Sequence, residues 1–183
     1  MDNGASSYRR YLDGDEAAFH EIVKEYFDKL VFFIDRYVHD YAAAEDLAID
    51  AFTYLVVHKR RYNFQVSLKT YLFMIGRSRA LDYIKHRGKI SMEPLSEASQ
   101  LPAEEPPLDE LLLADERKRA VSEGLSQLPE EMRVVIHLTY FEELSCEEVA
   151  KVMKKSRKQV YNLLYRGKKQ LRTILEGKGE LIF

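Results

Sequence analysis

The chain has 183 residues, 46% hydrophobic and 32% charged, with a formal net charge of −2, which suits one or two small globular domains rather than a fibrous or low-complexity protein. No apolar run is long enough to cross a bilayer and the N-terminus lacks a signal-peptide core, so a cytoplasmic location without membrane insertion is expected. Cys146 is the one cysteine, which excludes an internal disulfide.

The pattern is helical throughout, with no strand pattern of useful length. Phe19, Ile22, Val23, Tyr26, Phe27, Leu30, Phe33, Ile34, Tyr37 and Val38 recur at spacings of three and four. This predicts one long amphipathic helix from about Asp15 to Val38, capped by Asp13 or Asp15. A second helix is predicted from about Ala42 to Val57, with Leu47, Ala51, Phe52 and Leu55 on one face. Residues 1–57 are acidic, with 5 Lys/Arg against 12 Asp/Glu. A basic, aromatic stretch follows, His58-Lys59-Arg60-Arg61-Tyr62-Asn63-Phe64-Gln65. Ser67 can cap a third helix, with Leu68, Tyr71, Leu72, Ile75 and Leu81 or Ile84 inward. It ends near Gly88 among Lys85, His86, Arg87 and Lys89, cations that suit a helix C-terminus.

Residues 91–107 contain Pro94, Pro102, Pro106 and Pro107 and read as a linker. Residues 91–116 carry eight acids and no Lys or Arg. The expected organisation is therefore all-α: two small helical domains, 8–90 and 111–176, joined by a flexible acidic linker over 91–110.

In the second half, Leu111, Leu112, Val121, Leu125 and Leu128 suggest a helix from about Leu108 to Gln127. Pro129 stands where a first helical residue would, followed by Glu130 and Glu131 in the positive first turn of a helix reaching about Phe141. Ser145-Cys146-Glu147-Glu148 is a capping box that opens a short helix through Val149, Ala150 and Met153. Ser156-Arg157-Lys158-Gln159 is a second one, opening a helix through Val160, Leu163, Leu164 and Leu171. Two capped helices separated by about three residues make a helix-turn-helix. Residues 145–175 hold 9 Lys/Arg against 2 acids, so a near-neutral total hides a strongly basic end, which points to nucleic acid.

The helix opening at Ser156 presents Arg157, Lys158, Gln159, Tyr161, Asn162, Tyr165, Arg166, Lys168 and Lys169 away from its apolar face. A helix of this kind fits the major groove. Arg and Asn make bidentate contacts to guanine and adenine, and Lys neutralises phosphates. A solvated charged helix is the plainer alternative for the same residues.

With these residues in view, the chain resembles the extracytoplasmic-function sigma factors, a group of the sigma-70 family. Ala44-Glu45-Asp46-Leu47-Ala48-Ile49-Asp50-Ala51-Phe52 is similar to that family's AEDLVQEVF stretch. Residues 67–83, from Ser67-Leu68-Lys69 to Leu81-Asp82-Tyr83, are similar to SFRAWLYRIARNLALDY. Leu125-Ser126-Gln127-Leu128-Pro129 matches its L-x-x-LP, and Leu144-Ser145-Cys146-Glu147-Glu148-Val149-Ala150 its LSYEEIA. The resemblance runs from about Phe19 to Leu175.

It implies a dissociable subunit that gives RNA polymerase its promoter specificity. Region 2 would bind the clamp helices of the polymerase β′ subunit and melt the −10 element. Region 4 would read the −35 element and touch the β flap. An anti-sigma factor would hold the protein inactive. On this resemblance Glu45, Asp46 and Asp50 would meet core polymerase. Tyr62, Asn63, Phe64, Gln65, Ser78 and Arg79 would meet the −10 element, and the basic face named above the −35 element. Aromatic side chains stack on unpaired bases and amides hydrogen-bond flipped ones. Tyr62 and Phe64 read equally well as core anchors of their loop, and Tyr71, where the family has Trp, as core. Arg77, Arg79, Lys85, Arg87 and Lys89 would follow the DNA backbone, and the acidic linker would thread the polymerase cleft. Three positions depart from the family pattern: Ile49 for Gln, Ser78 for Asn, and Lys154-Lys155 for a Gly-containing turn.

No catalytic constellation is visible, no glycine-rich phosphate loop, and no metal-ligand spacing among His20, His39, His58, His86 and His137. No cofactor or metal is expected, and the protein is not expected to be an enzyme. Two other classes fit parts of the chain: a helix-turn-helix regulator working without core polymerase, and a helical interaction module whose basic helix binds an acidic partner.

Overall fold

The computed structural model describes residues 4–90 and 120–177. The expected linker over 91–110, and the helical residues expected before Ala120, lie outside the described residues. The chain divides into two compact units, one of residues 1–103 with 151–154 and one of residues 104–150 with 155–183. Among the described residues there are helices and turns and no strands.

The first unit is built on four helices: α1 (Ala5–Leu12), α2 (Glu16–Val38), α3 (Tyr41–Val57) and α4 (Leu68–Ile90), with a single 3-10 turn at Lys59–Arg61. Each long helix starts on a short polar side chain that accepts one of the orphan N–H groups of its first turn. Asp15 accepts from Ala18 N–H at 3.3 Å, Asp40 from Ala43 N–H at 3.1 Å, and Ser67 Oγ from Thr70 N–H at 3.1 Å. Helix α2 packs against α1, α3 and α4. Its stripe Ile22, Tyr26, Leu30, Phe33, Ile34 and Tyr37 is buried, as its periodicity predicts. Gly76 lets α4 approach α2 closely: a Cβ there would lie 2.7 Å from Leu30 Cδ1.

Three features differ from the sequence expectation. Helix α1 was not anticipated, because eight residues are too few for a periodicity to register. Leu81 and Ile84 do not point inward but are 37% and 39% exposed; the buried face of α4 is Leu68, Leu72, Phe73, Gly76 and Ala80. Tyr71 is half-buried at the edge of that face.

In the second unit, α5 covers the described helical residues 120–126. Then come α6 (Glu130–Ile136), continued by a π turn (His137–Phe141), α7 (Cys146–Met153) and α8 (Arg157–Gly177). Pro129 takes the N-cap position of α6, one residue earlier than expected. The core is Leu125, Leu128, Met132 and Ile136, covered by Val121, Leu163, Leu164, Leu171 and Ile174. Gly167, on α8, is the close-approach residue against α6: a Cβ there would stand 3.2 Å from Met132 Cβ. A glycine inside a helix costs roughly 1 kcal/mol in propensity, and the tight α6–α8 seam is what it permits.

Candidate nucleic-acid interface

The helix-turn-helix is assembled by local hydrogen bonds. Ser145 N–H donates to Glu148 Oε2 at 3.0 Å and Glu148 N–H to Ser145 Oγ at 3.3 Å. Ser156 N–H donates to Gln159 Oε1 at 2.8 Å and Gln159 N–H to Ser156 Oγ at 3.2 Å. Both are reciprocal capping boxes. Between them α7 ends with Lys154 at φ +52°. Lys155 N–H donates to Ala150 O at 3.0 Å and Lys154 N–H to Lys151 O at 3.4 Å. These are the paired bonds of a Schellman turn, whose left-handed residue is normally glycine. The Lys154-Lys155 pair therefore keeps the turn's shape, with a strained lysine where glycine is preferred. Lys155 is further tied to α6 by an ion pair with Glu131 at 2.7 Å, whereas Lys154 is exposed.

All nine candidate −35 residues are exposed: Arg157, Lys158, Gln159, Tyr161, Asn162, Tyr165, Arg166, Lys168 and Lys169. They are not equivalent. The carboxamide oxygen of Gln159 is occupied by the cap. Arg157 lies 3.4 Å from Glu147, a surface pair of small energetic weight. Lys168 leans on Tyr140, 5.6 Å from its ring centroid, and the hydrogen bond to that phenol holds its ammonium above the usual lysine pKa. Among the described residues, the side chains of Asn162 and Arg166 form no hydrogen bond or ion pair. They sit four apart on one face, flanked by Lys158 and Lys169. A groove of about 420 Å³ opens in this unit between α5, α6 and α8, lined by Val121, Leu125, Ile136, Phe141 and Leu171. Tyr140 and Phe141 are 53% and 56% exposed at its edge.

In the first unit the candidate −10 residues fall on the loop joining α3 to α4 and on α4 itself. Tyr62 is 3% exposed. Its hydroxyl donates to Val66 O at 2.7 Å, and its ring packs on Tyr8, Phe64 and Tyr71 at centroid distances of 5.4, 4.6 and 5.2 Å. Of the two readings open for it, the structure supports the core anchor: a ring enclosed in this way has no surface left for a base. Asn63 is exposed, and its Oδ1 accepts from Gln65 N–H at 3.2 Å in an Asx turn. Gln65 is exposed and Phe64 half-buried. Phe64 has φ +60°, a left-handed conformation costing a bulky residue of order 1–3 kcal/mol.

Ser78 is exposed and Arg79 half-buried, its guanidinium 5.5 Å from the Tyr54 ring. Tyr54 also accepts from Arg61 Nη1 at 2.9 Å. Sequence reasoning passed over Tyr54 because it sits one position from Leu55 on a helix read only for its apolar face. It also passed over Tyr8, Arg9 and Tyr11 of α1. Tyr8 is fully buried and donates to the carbonyls of Leu55 at 3.3 Å and Lys59 at 3.0 Å; burial raises its phenol pKa far above the usual value.

The acidic candidates lie on α3. Asp46 and Asp50 are exposed and Glu45 is half-buried. Ile49, 53% exposed, stands between them, with Val57, 66% exposed, further along the helix. The ridge is thus acidic with an apolar strip rather than uniformly charged. Among the described residues no group of His, Cys, Asp and Glu is arranged to hold a metal ion, and no helix is long and apolar enough to cross a membrane.

Comparison with known proteins matches both units. The family model for sigma-70 region 2 matches residues 22–90, and that for sigma-70 region 4 matches residues 118–171. The chain is 32% identical over 157 residues to the RNA polymerase sigma-H factor of Pseudomonas aeruginosa, covering 79% of each. It is 26% identical to the ECF RNA polymerase sigma factor SigW of Bacillus subtilis, covering 87% of this chain and 89% of that one. Among solved structures, CnrH in complex with the cytosolic domain of CnrY has the same fold, with a TM-score of 0.65 at 19% identity, over 96% of this chain and 99% of that one. RpoE in complex with the anti-sigma factor NepR, from Bartonella quintana, gives 0.64 at 20% identity, over 86% and 96%. A helical unit matching region 2, a helix-turn-helix unit matching region 4, and relatives spanning most of the chain place this protein in the sigma-70 family, among the extracytoplasmic-function RNA polymerase sigma factors.

Proposed function

We propose that this sigma factor binds core RNA polymerase through the Glu45–Asp46–Asp50 ridge of α3 and reads promoter DNA at two points. The exposed face of α8 reads the −35 element in the major groove. Asn63, Phe64, Gln65, Ser78 and Arg79 engage the unpaired −10 strand. The observation that carries this reading is α8: its base-reading side chains, Asn162 and Arg166, are exposed and uncommitted, on a helix held by reciprocal caps at its N-terminus. Helices so presented enter the major groove with their N-terminal half at the base edges.

Region 2 in this division covers residues 8–90, the acidic linker follows over 91–110, and region 4 occupies 111–176. The ridge on α3 supplies carboxylates for basic residues of the β′ clamp, and Ile49 adds a desolvated contact where the family has a polar side chain. The apolar groove beside Tyr140 and Phe141 offers region 4 a surface for touching the β flap. An anti-sigma factor then acts by covering one or both surfaces; RpoE of Bartonella quintana, which shares the fold, is found in complex with such a factor, NepR. The protein works in the cytoplasm, where the polymerase is, and acts as a specificity subunit rather than an enzyme. A regulator working without core polymerase would have no use for the α3 ridge or for a −10 loop.

The experiment is run-off transcription with purified core polymerase on a promoter library, paired with co-elution. Sigma-dependent transcripts from a defined subset of promoters, with stoichiometric co-elution, are expected. Failure to co-elute with core polymerase at low salt would overturn the reading.

A further inference from the structure

Helix α1 carries two adjacent exposed arginines in different surroundings. Arg10 Nε and Nη2 reach Asp15 Oδ2 at 3.0 and 2.6 Å, and its Nη1 reaches the two Glu21 oxygens at 3.2 and 3.0 Å. Its charge is neutralised within the protein. Arg9 forms no ion pair or hydrogen bond among the described residues; its guanidinium lies over the Phe64 ring, 4.9 Å from the centroid. Stacking uses the face of a guanidinium and leaves its in-plane N–H donors free.

Phe64 is the left-handed residue in the middle of the candidate −10 loop. The loop's shape depends on α1. Tyr8 donates to the carbonyls of Leu55 and Lys59 where the loop leaves α3, and the Tyr8 ring packs edge-on against Tyr62. Lys59 Nζ in turn lies 4.3 Å from the Tyr11 centroid. Helix α1 thus ties down a loop whose exposed cations are Lys59, Arg60 and Arg61, and adds a fourth from outside it.

We infer that α1 is part of the single-strand site and that Arg9 contacts a backbone phosphate of the unpaired promoter strand. The ligand is the single-stranded DNA backbone: a stacked guanidinium offers planar donors that match a phosphate, and phosphates are present whatever the base sequence. The assignment rests on the −10 reading given above.

The test uses reconstituted holoenzyme and a forked DNA pool whose unpaired overhang is a randomised hexamer, with binding followed by fluorescence anisotropy over a salt series. Each phosphate neutralised on a single strand adds about 0.7 to the slope of log K against log salt. Arg9→Gln should lower that slope by about 0.7, with core co-elution and thermal melting unchanged. Arg9→Lys should keep the slope and bind more weakly, because the charge remains and the planar stack is lost. Arg10→Gln removes the same charge from an arginine already neutralised and should keep the wild-type slope. A wild-type slope in Arg9→Gln, or equal losses in Arg9→Gln and Arg10→Gln, overturns the assignment. Wild-type holoenzyme that binds the fork no better than core polymerase alone overturns the −10 reading, and this assignment with it.

Discussion

Gln159 and Ser156 bond each other reciprocally at the start of α8, Gln159 Oε1 accepting from Ser156 N–H at 2.8 Å and Ser156 Oγ accepting from Gln159 N–H at 3.2 Å. A side chain in the middle of the basic face is therefore committed to the protein before DNA arrives. Gln159→Ala should cost about 0.5–1.5 kcal/mol through the lost cap, and weaken all promoters alike. Gln159→Glu should keep the cap, which Glu makes as well as Gln, while its charge opposes phosphate and lowers affinity uniformly. The measurement is thermal melting alongside run-off on a −35 library. A changed ranking of −35 sequences in Gln159→Ala at unchanged melting would show that the residue reads bases instead.

Asn162 and Arg166 are free where Gln159 is not. Replacing either with Ala should remove one bidentate contact and cost about 1–3 kcal/mol on the preferred −35 sequence. Selectivity at one base step should relax. Lys169→Ala should instead weaken every promoter and flatten the salt slope by about one phosphate's worth, near 0.9 on duplex DNA. Unchanged selectivity in both base-reading variants would refute their role.

Lys154 holds φ +52° in the turn between α7 and α8. A left-handed residue costs an L side chain roughly 1–2 kcal/mol relative to glycine, offset in part by the freedom glycine gains in the unfolded chain. Lys154→Gly should leave the melting temperature unchanged or raise it slightly. Lys154→Val should lower the melting temperature, because a β-branched residue is a genuine outlier at positive φ. Equal melting temperatures for the two variants would show that the turn is not left-handed in solution.

Tyr62 was a candidate for stacking on a base and is packed inside its loop. Tyr62→Phe loses only the hydrogen bond to Val66 O, about 1 kcal/mol, and should melt −10 elements as the wild type does. Tyr62→Ala should lose about 3–5 kcal/mol through the cavity, and with it the loop's shape. Potassium permanganate footprinting of the open complex separates the two. A footprint lost in Tyr62→Phe at wild-type stability would mean that the hydroxyl touches DNA.

The sequence by itself determined the long helices, the two capping boxes, and the segregation of acidic and basic segments. Each is written within a few residues: a cap spans three positions, and an apolar stripe repeats every three or four. The Asp15 and Ser67 caps and the bonds of Ser145 and Ser156 follow from that locality. The tertiary structure decided which exposed side chains remain available. Tyr8 reaches across 51 positions to Lys59; Lys155 is claimed by Glu131, Lys168 by Tyr140, and Tyr62 by three rings. No periodicity encodes such pairings, because they depend on where one helix meets another. Helix α1 was missed for the same reason: eight residues form no stable helix alone, and it exists because Tyr8 and Tyr11 are buried against the rest of the first unit.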